Sequence, residues 1–224
     1  MPSLDSIRDE DLIRNKEQRS PCILLLDTSA SMHGAPIQEL NDGLKLFEEE
    51  VRKDPLAAVR CEIAIVSFGG VAKMVQEFVT ADEFTAPTLE ALGDTPMGAA
   101  INLSLDSLRQ RKSSYRENGV NYTRPWVFVI SDGAPTDDGW EKAAQRLREE
   151  ERSKGVIVFP IGVQGANLNV LRELSTTNSP LLLQGLKFKE FFVWLSTSQQ
   201  RVSAGKAGGQ AQLPSTEGWS EVPT

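Results

Sequence analysis

Residues 22–32 read CILLLDTSASM, and this stretch decides the fold class. The unbroken apolar run at 22–26 is typical of a strand that is buried on both faces of a parallel sheet. The run ends at Asp27, and Ser29 and Ser31 follow at alternate positions. Open α/β sheets bind their ligands beyond the carboxyl ends of the strands, so we expect one carboxylate and two hydroxyls to meet there. These are hard oxygen donors, which favour Mg²⁺, Mn²⁺ or Ca²⁺ over zinc or copper.

Two further loops supply oxygen donors of the same kind. Residues 127–135 read VFVISDGAP, a second buried strand that ends in an acid, Asp132, and then turns through glycine and proline. Residues 93–98 read GDTPMG, a glycine-rich turn in which Thr95 precedes a long helical pattern. The alternative is that Asp27 merely closes a turn and that the serines bond to nearby backbone. Three such loops, each following a predicted strand or preceding a predicted helix, favour a metal site over that alternative.

The composition excludes several classes of function. The chain has 224 residues, a formal net charge of -7 and a pI near 4.9, which argue against nucleic acid or an anionic membrane as a partner. Residues 1–20 are charged and mixed, without the apolar core of a signal peptide, and no apolar run is long enough to span a membrane. We therefore expect a soluble, cytoplasmic protein. Its two cysteines, Cys22 and Cys61, are expected to be reduced thiols in the core.

The order of predicted elements indicates a single α/β domain. Strands alternate with helices, which predicts a doubly wound, mostly parallel central sheet with helices on both faces. Gly69-Gly70 joins two strand patterns as a hairpin, giving the sheet one antiparallel edge strand. We assign 1–19 to a charged N-terminal segment, 20–196 to the domain and 197–224 to a polar C-terminal tail. The tail is either an unstructured terminus or docks back onto the domain through Trp219.

The three loops resemble the metal-ion-dependent adhesion site of von Willebrand factor A-type (VWA) domains. That family's pattern is Asp-x-Ser-x-Ser, then a distant Thr, then a distant Asp after a hydrophobic strand. The resemblance implies the Rossmann-like VWA fold and a divalent cation, Mg²⁺ first and Mn²⁺ or Ca²⁺ as alternatives. It implies the following metal ligands: Asp27, Ser29, Ser31, Thr95 and Asp132.

In the family the two serines bind the ion directly and the acids often act through water. Two positions depart from the family's pattern. Ala30 stands where a glycine is usual between the serines, and Asp94 adds a further acid before Thr95. The alanine is harmless if the loop needs no positive φ at that position, and this is what we expect.

A finer resemblance is to TerY-like proteins of bacterial tellurium-resistance operons. It rests on residues 21–29 (PCILLLDTS), residues 34–41 (GAPIQELN) and the ending with Leu213-Pro214 and Gly218-Trp219. The resemblance implies a stress- or metal-resistance role beside a protein kinase and a protein phosphatase of the PP2C type.

No pattern for catalysis or phosphate binding accompanies the cation loops. A Gly-x-Ser-x-Gly elbow and a phosphate-cradling glycine motif are both missing from the sequence, and His33 is its only histidine. We therefore predict a non-enzymatic module whose cation holds an acidic residue of another protein. The alternatives are a metal-sensing signalling component and a scaffold that works without metal.

Overall fold

The computed structural model describes residues 10–163, 165–206, 209 and 211–221. The first nine residues of the predicted 1–19 segment lie outside the described residues, as do 207, 208, 210 and 222–224 of the predicted tail. The strands are β1 Ser20–Asp27, β2 Cys61–Gly69, β3 Val71–Thr80, β4 Trp126–Ser131, β5 Ile157–Gly162, β6 Leu181–Leu183 and β7 Ser220–Glu221. The α-helices are α1 Ala35–Arg52, α2 Pro55–Arg60, α3 Met97–Glu117, α4 Trp140–Arg152, α5 Leu168–Arg172 and α6 Phe188–Ala204, and residues 10–14 are also helical.

All seven of these strands belong to one sheet, in the order β3-β2-β1-β4-β5-β6-β7. The strand β1 pairs in parallel with β2 and β4, and β3 pairs with β2 in the antiparallel sense. The prediction of a doubly wound, mostly parallel sheet with an antiparallel edge strand is confirmed. A second antiparallel strand, β7, pairs with β6 at the opposite edge. It is only two residues long, too short for a recognisable sequence pattern.

The side chains of β1 alternate between two cores because successive residues of a strand point to opposite faces. Leu24 and Leu26 pack into the core that α1 and α6 cover. Ile23 and Leu25 pack into the core that α3 and α4 cover. Helices thus shield both faces of the sheet, which explains why the run is apolar at every position.

Helix α6 is longer than the sequence predicted. The aromatic-rich run at 188–195 (FKEFFVWL) predicts a helix over those residues. The helix instead continues to Ala204, past residue 196, the predicted end of the domain. The second half is rich in serine and glutamine and therefore lacks an apolar stripe. Polar contacts hold it instead: Arg60 Nη1 donates to the Ser203 carbonyl over 2.8 Å.

Helix α2, like the second half of α6, was not predicted. It is a six-residue helix whose first turn is capped by the Asp54 carboxylate, which accepts from the backbone N–H groups of Leu56 and Ala57. A helix of fewer than two turns is too short for its apolar residues to show a period in the sequence.

The described part of the tail lies against the domain. Trp219 is only 3% exposed, and its ring centroid lies 5.2 Å from that of Phe191 and 5.3 Å from that of Trp194. The Trp194 indole N–H donates to the Pro214 carbonyl over 3.0 Å. Aromatic packing therefore ties the described part of the tail to α6.

A buried ion cluster ties the N-terminal segment to the sheet. Glu62 on β2 accepts from Arg19 Nε over 2.8 Å and from Arg111 Nη2 over 2.7 Å, and the Tyr115 hydroxyl also donates to it. Nearby, Leu12 is fully buried against Tyr115. Because two arginines and a phenol surround one carboxylate, the charge of Glu62 is compensated although it is buried.

The two cysteines are buried and unpaired, as predicted. Burial raises the pKa of the Cys61 thiol to about 12, which keeps it protonated and unreactive. In the described residues no helix combines the length and the apolar content needed to cross a membrane.

Candidate metal centre

Four of the predicted ligands, those other than Thr95, meet at the carboxyl ends of β1 and β4. Asp27 is the last residue of β1, and Asp132 directly follows β4. The two strands are neighbours in parallel register, with Leu26 opposite Ile130. Their carboxyl ends therefore open at the same edge of the sheet, where ligand sites of open α/β sheets lie.

Asp27 forms the buried base of this site. It is 0% exposed, and its Oδ1 accepts from the Ser29 backbone N–H over 2.9 Å. Its Oδ2 accepts from the Ser131 hydroxyl over 2.6 Å. Hydrogen bonds thus hold both carboxylate oxygens in place, as expected for an acid that orients the other ligands of a metal.

Above Asp27, three side chains form a continuous row of oxygen atoms. The hydroxyls of Ser29 and Ser31 are 3.0 Å apart, and Ser31 Oγ donates to Asp132 Oδ2 over 2.6 Å. Adjacent ligands of an octahedral Mg²⁺ ion, each at about 2.1 Å, lie about 3 Å apart. These oxygens are joined by hydrogen bonds and lie close enough together to be neighbouring ligands of one small ion.

Backbone contacts hold the Thr95 loop beside the serine loop. The Ala30 N–H donates to the Gly93 carbonyl over 2.9 Å, which ties the Thr95 loop to the serine loop. Thr95 and Thr136 also bond twice: the Thr95 N–H donates to Thr136 Oγ1 and the Thr136 N–H donates to the Thr95 carbonyl, each over 3.0 Å. Thr95 is thus held between the loops that follow β1 and β4.

The approach of these loops requires glycine at one position. Gly93 has a φ of 72°, and a Cβ atom there would lie 2.7 Å from the Cα of Gly70 at the tip of the β2–β3 hairpin. No side chain fits at that distance, so the hairpin, the Thr95 loop and the serine loop can pack together only with glycine here.

The electrostatics of the site suit a cation. Burial raises the pKa of Asp27, hydrogen bonds from Ser131 and Ser29 lower it, and the neighbouring charge of Asp132 raises it again. Within the described ranges, no group of three or more His, Cys, Asp or Glu side chains could hold a metal. The candidate site therefore relies on two carboxylates together with neutral serine hydroxyls.

The departures from the family pattern do not disturb the loop. Ala30 lies in a 3₁₀ turn, Ala30–Met32, and has a negative φ, so an alanine is not strained there. The Asp94 side chain is exposed, and its carbonyl accepts from the Gly70 N–H over 2.8 Å. His33 is exposed as well.

Sequence reasoning missed three residues that support the site. The Ser131 hydroxyl donates to Asp27, and Thr136 forms two hydrogen bonds with Thr95, as described above. The sequence after Asp132 predicts Thr136 or Asp137 as the cap of the next helix. This prediction is wrong, because α4 starts at Trp140 after Gly139. The Asp137 carboxylate instead accepts from the backbone N–H groups at the start of α3, at Gly98 and Ala99, over 3.2 and 2.9 Å. The only available signal was their position within one to five residues of Asp132.

Comparison with known proteins agrees with this geometry. A family model described as von Willebrand factor type A domain matches residues 22–192. No curated protein matched the chain. Similar solved structures include a von Willebrand factor type A protein from Catenulispora acidiphila, which is 14% identical with a TM-score of 0.62 over 82% of this chain and 43% of that one.

Two other similar structures contain metal according to their descriptions. The manganese-loaded TRAP protein of Plasmodium vivax is 17% identical, with a TM-score of 0.55 over 79% of this chain and 74% of that one. Proximal thread matrix protein 1 of the mussel byssus, with a zinc-occupied MIDAS motif, is 17% identical, with a TM-score of 0.53 over 83% and 48%.

The chain spans less than half the length of the Catenulispora protein. At such low identities these structures establish the fold alone. The family model, however, covers well over half of the chain, including the loops after β1 and β4. The chain therefore belongs to the von Willebrand factor type A domain family.

Proposed function

We propose that this domain binds a divalent cation through Asp27, Ser29, Ser31, Thr95 and Asp132, and uses it to hold an acidic residue of another protein. The observation that carries the proposal is the row of oxygen atoms from Ser29 through Ser31 to Asp132, with spacings of 3.0 and 2.6 Å. Such spacing fits neighbouring ligands of one small ion.

The shape of the site supports a ligand from outside. Asp27 is fully buried, whereas Ser31 is exposed and Asp132 is partly exposed, so the site opens to solvent on one side only. With the serine hydroxyls as direct, neutral ligands and the two acids acting through water, a divalent ion keeps enough positive character to attract a further carboxylate. A partner's Asp or Glu side chain would supply that carboxylate.

Mg²⁺ is the ion that we propose, with Mn²⁺ or Ca²⁺ as alternatives. The donors are all oxygen, which suits these ions better than zinc. Similar structures described as manganese-loaded and as zinc-occupied support a divalent cation at this place without selecting Mg²⁺.

We further propose a TerY-like role: a non-enzymatic scaffold or adaptor in a bacterial stress or tellurite-resistance system, acting in the cytoplasm. Its partner would be a protein kinase or a PP2C-type phosphatase encoded nearby. The support is the likeness of residues 21–29 and 34–41 and of the ending around Trp219 to those proteins.

Calorimetric titration of Mn²⁺ and Mg²⁺ into metal-free protein tests the site. We expect saturable binding to the wild type and none to Asp132→Ala, which removes an oxygen of the row. Asp94→Ala is the matched control, because that acid is a neighbour of Thr95 but its side chain is exposed. Equal binding by the wild type and Asp132→Ala would contradict the assigned ligands.

A pull-down with the neighbouring kinase and phosphatase, with and without EDTA, tests the bridging role. Retention that needs both metal and Asp132 supports it. Tight metal binding without a metal-dependent partner would favour the sensing role. Equal retention of the partner with and without EDTA would favour a scaffold that works without metal.

A further inference from the structure

A second candidate site lies at the other end of the sheet from the metal centre. It is a groove of about 1040 Å³ between the first residues of β4 and β5, the end of α6 and the tail. Trp126 and Ile157, which line it, are the first residues of β4 and β5. The metal centre is at the carboxyl ends of the strands, so the two sites are at opposite ends of the strands.

The wall of the groove is apolar and partly aromatic. It includes Trp126, Ile157, Phe159, Val202 and Leu213, all of which belong to the core that α1 and α6 cover or pack against it. The rings of Trp126 and Phe159 are 5.1 Å apart. A ligand in the groove would therefore touch a preformed apolar surface.

The charged residues that line the groove are all basic. They are Arg124, Lys154, Arg201 and Lys206, and the described lining contains no Asp or Glu. None of the four takes part in a salt bridge with a residue that the structure describes. This positive rim stands out on a chain whose net charge is -7.

The two arginines of this rim are partly engaged by neutral carbonyl groups. Arg124 Nη2 donates to the Glu151 carbonyl over 2.7 Å, and Arg201 Nη1 donates to the Gln212 carbonyl over 3.0 Å. These bonds fix the guanidinium groups at the groove but do not compensate their charge. Lys154 and Lys206 are exposed. An anionic ligand would gain from all four groups.

We propose that this groove binds an acidic peptide segment of another protein, with its apolar side chains on the aromatic wall and its carboxylates at the basic rim. The volume reaches the upper limit of about 1,000 Å³ for small-molecule pockets, which favours a segment of several residues. A flat anionic membrane could meet the exposed lysines but not Trp126, which lines the groove and is only 4% exposed. The interaction needs no metal.

Panning a random twelve-residue peptide library on the full chain in EDTA tests this proposal. EDTA keeps the metal centre from contributing, so the result does not depend on the function proposed above. We expect the recovered peptides to be rich in Asp and Glu together with Leu, Phe or Trp. Replacing their acids by amides should weaken binding by about tenfold or more.

Charge reversal locates the binding. Lys154→Glu with Lys206→Glu should weaken binding of the recovered peptides by about tenfold, because two attractive rim charges become repulsive. Lys45→Glu with Lys142→Glu is the matched control: it changes the net charge equally, at exposed lysines of α1 and α4 that do not line the groove. Thermal unfolding of both double variants checks that they are folded.

Several results would overturn the proposal. They are recovery of no peptides, recovery of peptides without excess acid, and equal loss of binding in the two double variants. Cosedimentation with phosphatidylserine vesicles that depends on Lys154 and Lys206, without peptide binding, would instead assign the rim to an anionic lipid surface.

Discussion

Ser31 Oγ donates to Asp132 Oδ2 over 2.6 Å although the two residues are 101 positions apart in the sequence. The contact joins the loop after β1 to the loop after β4. It exists because these strands are neighbours in parallel register, so both loops leave the sheet at the same edge. The contact brings together candidate ligands from two separate loops, and the candidate metal centre depends on it.

Ser131→Ala should weaken metal binding and destabilise the fold, although Ser131 was not among the predicted ligands. Its hydroxyl donates to the buried Asp27 Oδ2, and losing a donor to a buried carboxylate costs about 1–3 kcal/mol. Mn²⁺ affinity should fall by about 10-fold or more, as for other residues that orient a ligand. Calorimetry and urea unfolding measure the two effects.

The control for that variant is Ser113→Ala, whose hydroxyl bonds to Glu117 on an exposed part of α3. We expect little change in either measurement. Unchanged Mn²⁺ affinity in Ser131→Ala would show that Asp27 does not depend on this hydroxyl.

Ala30→Gly should not improve metal binding. Ala30 already has a negative φ, so glycine relieves no strain and only adds freedom to the unfolded chain, at about 0.5–1 kcal/mol of stability. Gly34→Ala is the contrasting variant: Gly34 has a φ of 89°, and alanine there should cost about 1–3 kcal/mol. Several-fold tighter Mn²⁺ binding by Ala30→Gly would mean that the native loop is strained.

Trp219→Ala should destabilise the protein by about 3–5 kcal/mol, as expected for a buried tryptophan. The ring packs against Phe191 and Trp194. Its indole N–H has no hydrogen-bond partner in the described structure, so Trp219→Phe should keep most of the stability. Urea unfolding compares the two variants, and equal midpoints for Trp219→Ala and the wild type would show that the tail does not stabilise the domain.

Glu151→Gln should change how stability depends on pH. Glu151 on α4 is 1% exposed and accepts from the Thr176 and Thr177 hydroxyls and from the Val158 N–H. Burial tends to raise the pKa of Glu151, but these hydrogen bonds outweigh it and lower the pKa. The charged carboxylate therefore stabilises the fold above its unfolded pKa of about 4.3, and this contribution is lost as pH falls through the lower folded value.

The wild type should thus exceed Glu151→Gln in free energy of unfolding by about 2–4 kcal/mol near neutral pH. The difference should shrink as pH falls below about 4. Urea unfolding at several pH values measures it, and the comparison cancels groups that both proteins share. A difference that stays constant over this range would contradict the charged role of Glu151.

Local patterns were enough to predict the parallel core of the fold and the candidate ligands. The run at 22–26 and the run before Asp132 identified two buried strands because continuous apolar sequence is needed where both faces are covered. Short or polar elements were not predicted, because they contain no such apolar run. Helix α2 and strand β7 are too short to show a period, and the second half of α6 lacks an apolar stripe.

By itself, the sequence determined the fold class, the central strands and the loop residues Asp27, Ser29, Ser31, Thr95 and Asp132, since each follows from residues close together in the chain. Only the tertiary structure decided that Ser131 holds Asp27, that Asp137 caps α3 and that Trp219 packs against α6. These contacts join segments that are far apart along the chain, so they depend on strand order and packing, which no local pattern encodes.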